Sequence, residues 1–340
     1  IFIFCENKSN IKMENLCNLG KDSKGRDVFS IIIKSELLQA QVLSFGATLK
    51  DLRFNGFKNS LVLGYSSLED YFCDQNYAGV TVGRYANRIS NGQYYFNCQK
   101  FELDKNELSA TLHGGSESCH NSSWEIEEFG YNFVELTYQF NDGDMGFGGN
   151  LSVKLRYELA GSKLILTIEA FTSDLSLCNF TNHSYFNLDY SNNLENHYLS
   201  VKSAEIVEVD ENKLPTGRVK SVAGSKFDFR AEKKLLDHNG SISLIDTNFC
   251  FSNDRTKIRE VAELETSKCK MVLSTTEPGL QVYTGSSLKP PLQPFQGIAL
   301  EPQFWPDSPN NPGFPNAFLR SGEKYKQVTE YSFTNTDGCK

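Results

Sequence analysis

The sequence predicts an all-β protein, a large antiparallel β-sandwich with few short helices, and three observations carry that prediction. Apolar and polar residues alternate with period two in one segment after another, whereas no long stripe repeats every 3.6 residues. Aromatic residues make up 12% of the chain, with 25 Phe and 15 Tyr, and strands favour such side chains.

The clearest strand covers residues 151–159. Leu151, Val153, Leu155, Tyr157 and Leu159 face one way, and Ser152, Lys154, Arg156 and Glu158 the other, the pattern of a half-buried strand. Ala160, Gly161 and Ser162 turn the chain, and Leu164, Leu166 and Ile168 alternate again, which predicts a hairpin. Val134, Leu136, Tyr138 and Phe140 repeat the scheme, as do Leu280, Val282 and Thr284 against Gln281 and Tyr283. Ser67 to Asp70 fits one short capped helical turn.

Eight of the ten prolines fall between Pro290 and Pro315. Proline donates no ladder hydrogen bond, so this stretch is expected to be a rigid loop beside a short strand at residues 296–300. No composition break, linker or internal repeat interrupts the strands. Residues 13–340 are therefore expected to form a single sandwich domain, with residues 1–12, ahead of Met13, as an N-terminal extension.

Bulk properties exclude several functions. The formal net charge is -8 and no basic stripe is present, which argues against nucleic acid as a partner. Nine scattered cysteines, an odd number without a close pair, read as free thiols in a reducing, cytoplasmic setting. The apolar opening Ile-Phe-Ile-Phe-Cys is too short for a signal core, and no stretch reaches membrane-spanning length, so no membrane partner is expected. Neither a phosphate-binding loop nor an HExxH zinc motif occurs.

Chemistry is sought first among the five histidines. His113 lies in Thr-Leu-His-Gly-Gly and His183 in Asn-His-Ser-Tyr-Phe-Asn-Leu, both settings rich in hydrogen-bonding groups, whereas His120, His197 and His238 read as surface residues. Arg84 and Arg88 sit in Gly-Arg-Tyr-Ala-Asn-Arg-Ile, an apolar setting that obliges each guanidinium to find an acceptor, either a ligand hydroxyl cluster or a buried carboxylate. Arg84 suits a structural bridge to carbonyls equally well; Arg88, beside Asn87, is the better ligand contact. Glu301 ends an apolar run in Gly-Ile-Ala-Leu-Glu-Pro-Gln, where desolvation would raise its pKa toward general-base values. Asp246 stands similarly after Ile245. Two histidines with Asp246 and Glu301 also suit several metal ions, but their sequence separations give that reading no local support.

Together these segments resemble the aldose 1-epimerase (galactose mutarotase) family. In order they are Gly46-Ala-Thr-Leu, Gly83-Arg-Tyr-Ala-Asn-Arg-Ile-Ser-Asn-Gly, Leu112-His-Gly-Gly, Asn182-His-Ser-Tyr-Phe-Asn-Leu, Asp246-Thr-Asn-Phe, Thr275-Thr-Glu-Pro-Gly-Leu-Gln-Val-Tyr-Thr-Gly and Gly297-Ile-Ala-Leu-Glu-Pro-Gln. The likeness spans nearly the whole chain. It implies a galactose mutarotase-like supersandwich whose concave face holds a hexose. Glu301 would take the proton of the anomeric hydroxyl and His183 would protonate the ring oxygen, opening the pyranose without cofactor or metal. Asn87, Arg88, His113, Asp246 and Gln281 match positions that bind sugar hydroxyls, and Tyr185 is a candidate to stack on a sugar face.

The implied substrate is a small aldose, galactose or glucose, and the implied assembly a monomer or homodimer. Hexose-6-phosphate epimerisation, a sugar-binding module without catalysis and, more remotely, a metal hydrolase are the competing readings. Two departures from the family pattern bear on specificity. Thr247 replaces a frequent His and is expected to loosen contacts to the outer hydroxyls. Glu277 replaces a frequent Gln and is expected to add negative charge at the rim, disfavouring phosphorylated sugars.

Overall fold

The computed structural model describes residues 15–336, so the expectation of an N-terminal extension falls outside the described residues. Almost every regular element is a strand, in keeping with the predicted fold class. Three sheets dominate: a four-stranded N-terminal sheet, a nine-stranded sheet and a six-stranded sheet. In the nine-stranded sheet the spatial order is Glu125–Phe129, Phe133–Phe140, Leu151–Ala160, Lys163–Thr172, Tyr325–Asn335, Cys269–Thr275, Arg259–Glu265, Tyr198–Val201 and Lys233–Lys234. The predicted hairpin supplies its third and fourth strands, with register from Leu151 opposite Thr172 to Ala160 opposite Lys163. Gly161, at φ +58°, makes the tight turn, a conformation that glycine adopts without steric cost.

The six-stranded sheet carries the site. Its order is Tyr185–Phe186, Ile298–Gln303, Gly279–Tyr283, Asp246–Cys250, Glu205–Val209 and Pro215–Ser221, all antiparallel. Because strand side chains alternate between faces, its register sorts the residues by role. Phe249, Leu280, Val282, Ile298 and Leu300 point into one apolar cluster shared with Leu155 and Ile168 of the nine-stranded sheet and Ile31 and Val42 of the N-terminal sheet. Asp246, Gln281 and Glu301 occupy the opposite face, since Gln281 pairs with Glu301 and Asn248 with Gln281. Burying each large apolar side chain contributes about 1.5–3 kcal/mol, so the packed face fixes the strands that present the polar one.

Three expectations need correction here. The strand expected at residues 296–300 runs instead over Ile298–Gln303, so Glu301 lies inside a strand and not at its end. Pro302 is tolerated because the neighbouring strand Tyr185–Phe186 pairs only with Ile298 and Ala299, leaving no ladder partner on that side for Pro302 to forgo. Thr247 pairs with Val282 and shares its core-facing side; a one-residue step along a strand reverses the face, so Thr247 is not placed to touch outer hydroxyls. His197 is fully buried, its Nε2 accepting the Leu188 N–H at 2.9 Å, so it is a structural and not a surface residue.

The short α-helix Leu68–Phe72 is capped as expected, with Ser67 Oγ accepting the Asp70 N–H at 3.2 Å. The seven described cysteines are all free thiols. No helix among the described residues is long and apolar enough to cross a membrane.

Candidate active site

One cleft on the polar face of the six-stranded sheet is lined by all seven expected site residues: Asn87, Arg88, His113, His183, Asp246, Gln281 and Glu301. Glu301, Gln281 and Asp246 come from three adjacent strands. His183 is carried between Thr181–Asn182 and Tyr185–Phe186, with its backbone N–H donated to the Val80 carbonyl at 2.8 Å and its carbonyl accepting the Gly79 N–H at 3.1 Å. His113 and Asn87 sit on facing loops that hold each other. The Asn87 N–H donates to His113 Nδ1 at 3.2 Å, and the His113 N–H donates to the Asn87 carbonyl at 3.2 Å. Gly114 follows His113 at φ +87°, where a Cβ would lie 2.1 Å from the Gly83 carbonyl oxygen, so only glycine lets these loops approach.

The centre of the cleft is a buried acid–base pair. His183 Nε2 lies 3.6 Å from Glu301 Oε1, with side-chain exposures of 5% and 2%. Burial pushes the Glu301 carboxyl well above the usual carboxylate range, and the Asp246 charge adds to that while Arg88 opposes it. Burial also lowers the His183 imidazole to about 4. Both shifts follow from the cost of a charge in a desolvated site. Both shifts favour the neutral forms, so burial draws a proton toward Glu301 and away from His183.

The rest of the cleft is built from paired ions. Arg88 forks onto Glu107, Nε to Oε2 at 2.6 Å and Nη2 to Oε1 at 2.9 Å, a bidentate geometry that fixes the guanidinium plane. Asp246 accepts from Gln281 Nε2 at 2.7 Å on Oδ1 and from Lys213 Nζ at 2.6 Å on Oδ2. An aromatic floor completes it. Tyr77 contacts the rings of His113, His120 and His183 at centroid distances of 4.7, 5.1 and 5.8 Å. Tyr185 lies 5.0 Å from His183 and its hydroxyl donates to the Asn76 carbonyl at 2.9 Å.

Other expectations resolve on contacts. Arg84 is fully buried, and its guanidinium donates to the carbonyls of Gly148, Gly149 and Asn141 and to Ser176 Oγ; it is the structural bridge and does not line the cleft. His120 is not a free surface residue: its ring packs on Tyr77, and burial lowers its pKa to about 4. His238 is exposed as expected. Glu277 is wholly buried and forked by Arg255 at 2.6 and 3.0 Å. Its charge is neutralised away from the cleft, so the expected negative rim is absent at that position.

Tyr77, Glu107 and Lys213 line the cleft but were not singled out from sequence. Glu107 is the carboxylate that a guanidinium in an apolar setting required, though nothing local marked which carboxylate it was. Lys213, a lysine in an Asp-Glu-Asn-Lys turn, carried no signal.

His113, His183 and Glu301 bring ligand-type atoms within 4.8 Å of one another. The donor set nevertheless fits a metal poorly. Because His113 Nδ1 accepts a backbone N–H, the neutral ring carries its proton on Nε2. That nitrogen is a donor suited to a sugar oxygen, and a metal would have to displace its proton.

Comparison with known proteins identifies the family. The family model described as aldose 1-epimerase matches residues 30–332. A galactose mutarotase from Homo sapiens is 34% identical over 329 residues, covering 92% of this chain and 96% of that protein. An aldose 1-epimerase from Escherichia coli (strain K12) is 34% identical, covering 86% of this chain and 91% of that protein. The crystal structure of an aldose epimerase homologue from C. elegans superposes with a TM-score of 0.85 at 30% identity, covering 90% of this chain and 98% of that one. With a β architecture, a buried His–Glu pair and relatives matched over nearly their full length, this chain belongs to the aldose 1-epimerase family, isomerases that act on carbohydrates.

Proposed function

We propose that this protein interconverts the α and β anomers of galactose, glucose or both, with Glu301 as base and His183 as acid. The observation that carries the proposal is the buried His183–Glu301 pair, 3.6 Å apart, with each group shifted by burial toward its neutral form. In the active form one proton sits on His183, leaving Glu301 as carboxylate. A bound sugar favours this form, because its anomeric hydroxyl donates to Glu301 and its ring oxygen accepts from His183.

The Glu301 carboxylate then takes the O1 proton. C1 and O1 form a carbonyl, the C1–O5 bond breaks, and the His183 proton passes to O5. Rotation about C1–C2 turns the other carbonyl face to O5, and the same steps in reverse close the ring. Protons move and return, and no electron leaves the sugar, so the chemistry needs no redox cofactor. A binding module would have no use for a desolvated pair of this kind, whose burial costs stability.

Outside the pair, Asp246 and Gln281 supply acceptor and donor groups for hydroxyls, and His113 Nε2 supplies a donor. Arg88, held by Glu107, supplies a fixed cation. Polarimetry on freshly dissolved α-D-galactose and α-D-glucose tests the proposal. The expected result is accelerated mutarotation; a rate no faster than buffer for either sugar would overturn it.

A further inference from the structure

We infer that Lys213 is a specificity-determining residue, whose ammonium works with Asp246 to read a pair of adjacent hydroxyls on the side of the sugar remote from Glu301 and His183. The inference rests on the sugar-site reading above and extends it to a residue outside the motifs.

The turn that carries Lys213 is built to aim it. Asp210 Oδ1 accepts the N–H groups of Asn212 and Leu214 at 2.8 and 2.9 Å, and the Asp210 N–H donates to the Leu214 carbonyl at 2.9 Å. The Lys213 N–H closes the turn on the Asp210 carbonyl at 3.1 Å, and Lys213 itself takes a left-handed φ of +62°. A non-glycine residue in that region is uncommon and is held there by its surroundings. Five residues thus form a fixed corner between Glu205–Val209 and Pro215–Ser221, and the corner directs Lys213 over the next strand onto Asp246.

The pair it forms lies at the mouth of the cleft, with the Lys213 side chain 46% exposed. Lys213 and Asp246 both line the cleft, the contact is 2.6 Å, and the Asp246 side chain is only 15% exposed. Gln281 Nε2 anchors the other carboxylate oxygen, so Asp246 cannot turn away. Among the described residues Asp246 is the side chain that accepts from Nζ, and an ammonium has three donors. The other two meet no protein acceptor among the described residues. A carboxylate can only accept, and a hydroxyl both donates and accepts. Side by side, Asp246 and Lys213 offer one acceptor and one donor at the spacing of neighbouring hydroxyls: one hydroxyl donates to Asp246 while the oxygen of the next accepts from Nζ.

The test uses the full chain and two variants, Lys213→Met, which keeps the apolar stem without the charge, and Lys213→Arg, which restores a donor cation. Dissociation constants come from calorimetry and KM and kcat from polarimetry, for galactose, glucose and their 2-, 3- and 4-deoxy analogues. For Lys213→Met the expected result is a rise of about ten-fold in Kd and KM for the parent sugars, with kcat changed less than two-fold. One deoxy analogue, the one lacking the hydroxyl that Nζ reads, is expected to bind the variant and the parent protein alike. Lys213→Arg recovers part of the loss.

A uniform rise across all analogues would make Lys213 merely structural and overturn the inference, as would unchanged constants. Because Kd is read without turnover, failure of the catalytic proposal is separable: binding without mutarotation sinks that proposal and leaves the analogue comparison to decide Lys213. Absence of binding to any of these aldoses would overturn both.

Discussion

The two halves of the cleft handle charge in opposite ways. At the inner half, Glu301 and His183 are buried, 3.6 Å apart, and shifted toward their neutral forms. At the outer half, Arg88–Glu107 and Lys213–Asp246 are close ion pairs at 2.6 Å, with one partner of each partly open to solvent. The contrast follows from what each half must do. A group that exchanges a proton during turnover needs its two protonation states close in energy, and burial supplies that by penalising charge. A group that only holds a hydroxyl works best with a fixed charge, and pairing supplies that.

The largest test of the contrast removes the inner pair. Glu301→Gln and His183→Asn are each expected to lower kcat by roughly 100- to 10,000-fold while far-ultraviolet circular dichroism stays that of the parent protein; near-normal rates in either variant would strike that residue from the mechanism. Breaking an outer pair should act on binding instead. Glu107→Gln frees the Arg88 fork and is expected to raise KM by roughly ten-fold, about 1.4 kcal/mol, with kcat little changed. A kcat loss as large as that of Glu301→Gln would erase the distinction between the halves.

Stability should also register the burial. His113, His120, His183 and His197 all have folded pKa values depressed below the usual 6.5, the last three to about 4. Above pH 6.5 the folded and unfolded chains both hold these rings neutral. As pH falls toward 4 the unfolded chain takes protons that the folded one refuses, so stability drops. Glu301, raised in the folded state, acts in the opposite sense, weakening the fold as pH rises above its unfolded value of 4.5. Burial raises Asp74 and Asp307 in the same way, so four rings stand against three carboxyls; urea midpoints should still fall between pH 6.5 and 4, and a flat profile would show that the rings are hydrated. The smallest effect expected is that of a chelator. Because the His113 Nε2 proton opposes metal binding, EDTA is expected to leave the mutarotation rate unchanged; a loss restored by a divalent ion would contradict that reading.

Much of this was legible in the sequence, and the exceptions share a cause. Period two is local, so the hairpin of Leu151–Ala160 and Lys163–Thr172 could be read directly. The faces of the site sheet could not. Whether Thr247 meets sugar or core depends on which strand lies beside it, and its pairing with Val282 links residues far apart in the chain. Glu277 and Arg255 illustrate the same limit: the carboxylate looked like a rim charge until its buried partner was in place. His197 misled in another way, because a polar neighbourhood in sequence became a buried one when Leu188 folded against it. Short-range pattern shows which residues can form strands and carry chemistry, whereas burial and partnership are set at long range.

The pH dependence of kcat/KM for the parent protein tests the central claim most directly, because it reports the essential groups of the free enzyme. If a single proton shared by Glu301 and His183 is the working state, the profile should be flat through neutrality. It should fall on the acid side as the pair takes a second proton near 4, and on the alkaline side as Glu301 gives up its own. An acid limb near pH 6.5, the value of an exposed histidine, would contradict the account.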